Sequence, residues 1–149
     1  MARQTPKEAY DNANKKGGTT QETDNGLMYI STPSEIEEII CKVPKGKLIT
    51  TKIIADRLAK KHKVDFTCPL TTGIFSSIIA KYAEAQRAEG KKRIAPWWRV
   101  IKPKGKLYEK YLGDILPQRE MLEAEGFNIQ KGKGKQPPFV VDHEKYLVK

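Results

Sequence analysis

The chain has 149 residues, of which 38% are hydrophobic and 31% charged, and a formal charge of +10. That is enough for one domain with its own core, without help from a metal or a disulfide. No apolar run approaches a membrane span and the N-terminus has no signal-peptide core, so a cytoplasmic protein that does not engage a membrane is expected.

The basic excess is uneven. Residues 1–30 hold four basic and four acidic side chains, and residues 111–130 are net −3, whereas residues 42–110 hold 18 Lys and Arg against 5 Asp and Glu. A field concentrated in the middle of the fold favours a polyanion, nucleic acid first and an anionic membrane surface second. The plain alternative is a well-solvated basic surface. Cys41 and Cys68 belong to no C-x-x-C pair, and His62 and His143 are remote from each other, so no zinc pattern is present and neither metal nor cofactor is expected. Cys41 falls on the apolar face of a helix, as a buried, inert thiol would; Cys68, before Pro69, reads as exposed.

Residues 1–26 are polar and offer little to pack, which predicts a flexible N-terminal arm ahead of a domain over 27–149. A short strand is expected at Leu27–Ile30. Thr32-Pro33-Ser34-Glu35 then reads as a helix start, with a capping threonine, proline in the first turn and glutamate three residues after the cap. Ile36, Ile39, Ile40 and Val43 give that helix a buried face, and Pro44-Lys45-Gly46-Lys47 ends it. After a strand at Leu48–Thr50, Thr51 reads as the cap of a helix Lys52–Lys61. A second helix follows Pro69 and runs to about Ala88, with Ile74, Ile78, Tyr82, Phe75 and Ile79 as its apolar stripe.

This helix pair suits a helix-turn-helix, although a simple packing unit reads the same way. On the second helix, Thr71, Thr72, Gly73, Ser76 and Ser77, with Lys81, would form a small polar face able to approach a nucleic-acid backbone. Ile94 to Ile101 reads as a strand holding both tryptophans, Trp97 and Trp98, on opposite faces, one in the core and one toward a ligand. The alternative has both in the core and Arg99 paired with Glu125. Pro103–Lys106 reads as a turn with Leu107-Tyr108 as its returning strand. Gln118–Glu125 reads as a helix stopped by Gly126. Phe127–Gln130 and Phe139–Val141 read as strands around the lysine-glycine loop 131–135, either a wing on phosphates or a solvated tip.

Val43-Pro44-Lys45-Gly46-Lys47, Ile49-Thr50-Thr51, Pro96-Trp97-Trp98-Arg99-Val100-Ile101, and Gly113 with Leu122-Glu123-Ala124-Glu125-Gly126 occur in an order and spacing that resemble the DNA-binding domain of 6-O-alkylguanine-DNA alkyltransferases. Tryptophan at position 97 is similar to the alkyltransferase-like branch. The repair enzymes of that family use Pro-Cys-His-Arg-Val, in which the thiolate accepts the alkyl group and the histidine activates it. By position these fall on Trp97 and Trp98, with the family's arginine on Arg99 and its orienting glutamate on Glu125. An indole offers no lone pair for alkylation at neutral pH, so the resemblance implies a non-enzymatic protein that binds alkylated DNA and marks it for repair.

Other positions depart from the pattern. The family's nucleotide-rotating tyrosine falls on Lys52, and the arginine that fills the vacated stack falls on Thr72 or Gly73. Neither can fill a stack, which weakens base flipping. Backbone contacts would then come from Thr51, Lys52, Thr71, Thr72, Gly73, Ser76, Ser77, Lys81 and Arg99, and a base pocket from Trp97, Trp98 and Glu125.

The expected fold is α/β in content and mostly helical, a winged-helix-like domain with a helix-turn-helix and small β hairpins. The expected partner is double-stranded DNA, with a downstream repair protein besides, and the expected state is a monomer. The alternatives are a general or transcription-related DNA binder, an enzyme with a reassigned pocket or acting through Cys68, and a protein-interaction module.

Overall fold

The computed structural model describes residues 4–108 and 115–148. Five α-helices and short strands alternate along the described chain: α1 (Pro6–Lys16), β1 (Thr19–Thr23), β2 (Gly26–Ile30), α2 (Pro33–Cys41), β3 (Ile49–Thr50), α3 (Thr51–His62), β4 (Phe66–Thr67), α4 (Pro69–Ala88), β5 (Val100–Ile101), α5 (Leu116–Ala124), β6 (Ile129–Gln130) and β7 (Phe139–Val140). The content is α/β and mostly helical, in a winged-helix-like arrangement with α3 and α4 as the helix pair. The expected hairpins become three small sheets. β2 pairs antiparallel with β1 and parallel with β4, β3 pairs parallel with β5, and β6 pairs antiparallel with β7.

The start of α2 follows its sequence signature: the Thr32 hydroxyl accepts from the Glu35 amide at 3.3 Å. Ile36 and Ile40 are fully buried, as are Leu48, Ile49, Ile54, Ile79 and Leu122, so one core runs beneath α2 to α5, while α1 adds no buried residue to it. Cys41 is exposed rather than buried. It is the last residue of α2, where the helix has turned its apolar face past the core. The cap of α3 is Thr50, whose hydroxyl accepts from the Ile53 amide at 3.1 Å, and Thr51 is already helical.

Within residues 1–26, expected as a flexible arm, α1 and β1 form. Thr5 caps α1 through the Glu8 amide. Tyr10 packs against Tyr82 of α4, with the rings tilted and their centres 4.6 Å apart, and its hydroxyl donates to Glu37 of α2 at 2.9 Å. Asn14 accepts from the Ser34 amide at 2.9 Å. Composition undervalues this segment because its anchors are few and specific rather than a broad apolar face. Tyr10→Ala is expected to lower stability by about 1 kcal/mol, read from the denaturation midpoint; no change would mean that α1 is not held by this contact.

The register of α4 also differs from expectation. Of the expected stripe Ile79 is fully buried and Phe75 packs against the core, while Ile74 is 48% exposed and Thr72, Ser76, Ala80 and Ala83 are buried as well. Small residues face inward because they let α4 approach α1, α2 and α3 closely. Ser76 is buried and satisfied within its own helix, its hydroxyl donating to the Thr72 carbonyl at 2.8 Å.

The tryptophans stand on a 3-10 turn, Trp97–Arg99, and only Val100–Ile101 is strand. Leu107 does not return along that strand. Its amide donates to the Pro138 carbonyl and Lys106 bridges Phe139, which ties this segment to β7. The helix stop is as expected, with Gly126 at φ +97° beyond α5.

Candidate nucleic-acid interface

The turn Trp97–Arg99 is fixed from both ends. Behind it runs the long helix α4, and ahead β5 is pinned to β3 by the pairs Ile49 with Val100 and Thr50 with Ile101. Trp97 is 1% and Trp98 8% exposed, with their rings edge-to-face at 6.0 Å. A buried indole requires an acceptor for its N–H. Trp97 Nε1 donates to Glu84 of α4 at 2.9 Å, and Trp98 Nε1 donates to Glu125 at 2.5 Å.

Glu125 is the hub of this cluster. Its carboxylate takes Nε and Nη2 of Arg99 at 3.1 and 2.9 Å, and the Gly46 amide at 3.4 Å. The second Arg99 fork donates to the Val43 carbonyl at 2.6 Å. The end of α2, the tryptophan turn and the end of α5 are thus joined at one ion pair whose side chains are 13% and 7% exposed. Burial alone would push the Glu125 carboxyl up. The Arg99 guanidinium, the Trp98 N–H and the Gly46 amide outweigh it and hold the group below its ordinary value. An arginine committed in this way has little left for a phosphate.

Gln118 was not singled out from the sequence. It is 1% exposed, donates to the Trp98 and Val100 carbonyls at 3.1 and 2.8 Å, and accepts from the Tyr108 amide at 2.8 Å. It therefore sets the path of the chain on both sides of β5. Glu84 was missed as well. Its signal was its rarity, since residues 66–108 carry no acidic side chain except Glu84 and Glu89.

Several concavities flank α4, and two of them reach residues expected at the site. The larger, about 860 Å³, lies between the C-terminal half of α4, α1, α2 and the turn, and Tyr10, Cys41, Arg87, Lys91, Arg93, Trp98 and Met121 line it. The edge of Trp98 reaches this cleft, and Arg87 and Arg99 sit 5.8 and 5.5 Å from its ring centre. The smaller, about 360 Å³, runs along the N-terminal half of α4 beside Gly73, Ser77, Lys81 and Tyr108.

The structure brings Trp97, Trp98, Arg99 and Glu125 into one cluster, and places Gly73, Ser77 and Lys81 together on the smaller groove. Thr72 and Ser76 are buried and cannot touch a ligand. Thr71 is half-buried, with its hydroxyl donating to the Cys68 carbonyl at 3.2 Å. Lys52 is exposed at the start of α3, 2.9 Å from Asp56, and Thr51 beside it is half-buried. Gly113 lies outside the described residues. Among the described residues no acidic, histidine or cysteine cluster is arranged to hold a metal, and no helix is long and apolar enough to cross a membrane.

No protein-family profile matches the sequence, and no curated protein matches it. Solved structures do. One is S. pombe Atl1 in complex with damaged DNA containing O6-carboxymethylguanine, at 19% identity over 78% of this chain and 94% of that one, with a TM-score of 0.53. Another is S. pombe ATL in complex with DNA, at the same identity and coverage, with a TM-score of 0.50. The chain shares the fold of these alkyltransferase-like structures.

Proposed function

With that fold as the premise, we propose that the protein is a non-enzymatic DNA-binding protein that recognises alkylated guanine in duplex DNA and marks it for a separate repair system. The observation that carries this is the filled acceptor site. Where the related enzymes hold a thiolate and its activating histidine, this chain holds two tryptophans whose N–H groups are spoken for by Glu84 and Glu125. Nothing in that pair can accept an alkyl group or activate an acceptor. Shape is left, and the basic central segment with the DNA-bound structures of similar fold makes duplex DNA the ligand that fits it.

A second reading keeps the DNA and drops the lesion. Gly73, at one of the two positions where the stack-filling arginine would fall, lies on an exposed groove and carries no side chain to insert; the other, Thr72, is buried.

Binding to matched duplexes, one with a single 6-O-methylguanine and one unmodified, separates the readings across a salt series. Tight binding whose logarithm falls with log salt by roughly 0.9 per phosphate neutralised is expected, with preference for the lesion. Equal affinity for the two duplexes would leave a general DNA binder, and no binding to either would end both readings.

A further inference from the structure

The outward face of α4 is not the polar face that its serines and threonines promised. Thr72 and Ser76 point inward, and the outward positions one turn apart carry Leu70 and Ile74, 71% and 48% exposed. Residues four apart on a helix stack on one face, so the two side chains form a single apolar ridge. Beside it runs the groove of about 360 Å³, floored at Gly73 and ending at Lys81. A Cβ at Gly73 would stand at ordinary contact distance, 3.5 Å, from the Tyr108 hydroxyl oxygen, which places Tyr108 directly across the groove floor. Lys102 lies 5.0 Å from the Tyr108 ring centre, which puts a second cation on the far bank. The helix also begins with Pro69 and carries no side-chain cap, so its positive dipole end is not neutralised by one beside Leu70.

An apolar ridge with cations on both sides has a specific complement. A protein surface that buried Leu70 and Ile74 would have to place acidic groups on either side. Duplex DNA supplies that pattern at any step that opens, where apolar base faces lie between two rows of phosphates. We infer that Leu70 and Ile74 form a wedge that enters between adjacent base pairs and parts the stack, with Lys81 and Lys102 on the flanking phosphates. Aliphatic wedges of this kind unstack a step and kink the duplex. The inference rests on the DNA-binding reading and deepens it. Parting the stack falls to an aliphatic ridge rather than to a cation at position 72 or 73, and it does not require an extruded guanine.

The test uses the full chain and unmodified duplexes carrying 2-aminopurine at successive positions, whose fluorescence rises when the base is unstacked. The wild type is expected to raise the signal severalfold at one step. The double variant Leu70→Ser, Ile74→Ser is expected to bind about tenfold more weakly and to lose the rise when saturated with DNA. Both positions are exposed, so the variant keeps its circular dichroism. Lys81→Ala is expected to weaken binding and lower the salt slope by about one while keeping the fluorescence rise. Salt-sensitive wild-type binding with no rise, or a double variant that behaves as wild type, would overturn the wedge and leave DNA binding standing. No duplex binding at all would overturn both.

Discussion

Trp97→Ala is expected to destabilise the fold by about 3–5 kcal/mol, the range for emptying a buried aromatic site, against a total of roughly 5–15 kcal/mol for a domain of ordinary stability. Two effects add. The indole is 1% exposed, so the space it leaves is enclosed by α4 and the core. Its N–H also disappears from Glu84, which keeps the Arg87 guanidinium at 3.3 Å. Urea denaturation followed by circular dichroism reads the shift. A loss below about 1 kcal/mol would mean that position 97 collapses freely and that the tryptophan is there for contact with a ligand rather than for packing. Trp97→Cys is expected to gain no alkyl transfer from benzylguanine, because the neighbouring position holds Trp98 in place of a base.

Glu125→Gln is expected to lower stability by about 3 kcal/mol, since it strips the countercharge from an arginine that remains buried. The carboxyl sits below its ordinary value, because Arg99, Trp98 and Gly46 outweigh the upward push of burial. A depressed carboxylate contributes in full above the value it has in the unfolded chain, about pH 4 to 4.5, and its contribution drains away as pH falls through the folded value. Between pH 5 and pH 3 the wild type should therefore lose stability more steeply than Glu125→Gln, and the two should converge in acid. Glu35, also held low against burial by Tyr29, His62 and Lys61, adds a background of the same sign that both proteins share. Parallel curves would mean that Glu125 is not ionised against Arg99.

Local signals in the sequence survive folding where the local chemistry is self-sufficient. Thr32, Pro33 and Glu35 start α2 within one turn, and Gly126 stops α5, because neither event needs a distant partner. The pairing of Arg99 with Glu125 was also open to a reading by position, as one of two alternatives. What could not be read depends on partners far along the chain. Tyr10 is ordered by Tyr82, and a polar segment gives no hint of that. The α4 register is only partly legible: Ile79 lies in the core as its apolar character implies, but close helix approach selects Thr72, Ser76, Ala80 and Ala83 beside it and leaves Ile74 outside. The tryptophan segment looked like a strand, but Trp97–Arg99 closes a 3-10 turn through the Val100 amide, and only two residues of ladder remain.

The parallel pairing of Ile49-Thr50 with Val100-Ile101 also dictates an order of events in folding. Parallel strands need a crossover, and here the crossover is α3, β4 and α4 together. Those helices are made of local contacts and can form early, while the ladder must wait for a loop of some fifty residues to close. The tryptophan turn, Glu125 and Gln118 can dock only after that closure, so the candidate site assembles after α3 and α4 rather than with them. Interactions made late act chiefly on the rate of unfolding rather than folding. Damage to this cluster thus shortens the lifetime of the native state and leaves the chain still able to find its fold.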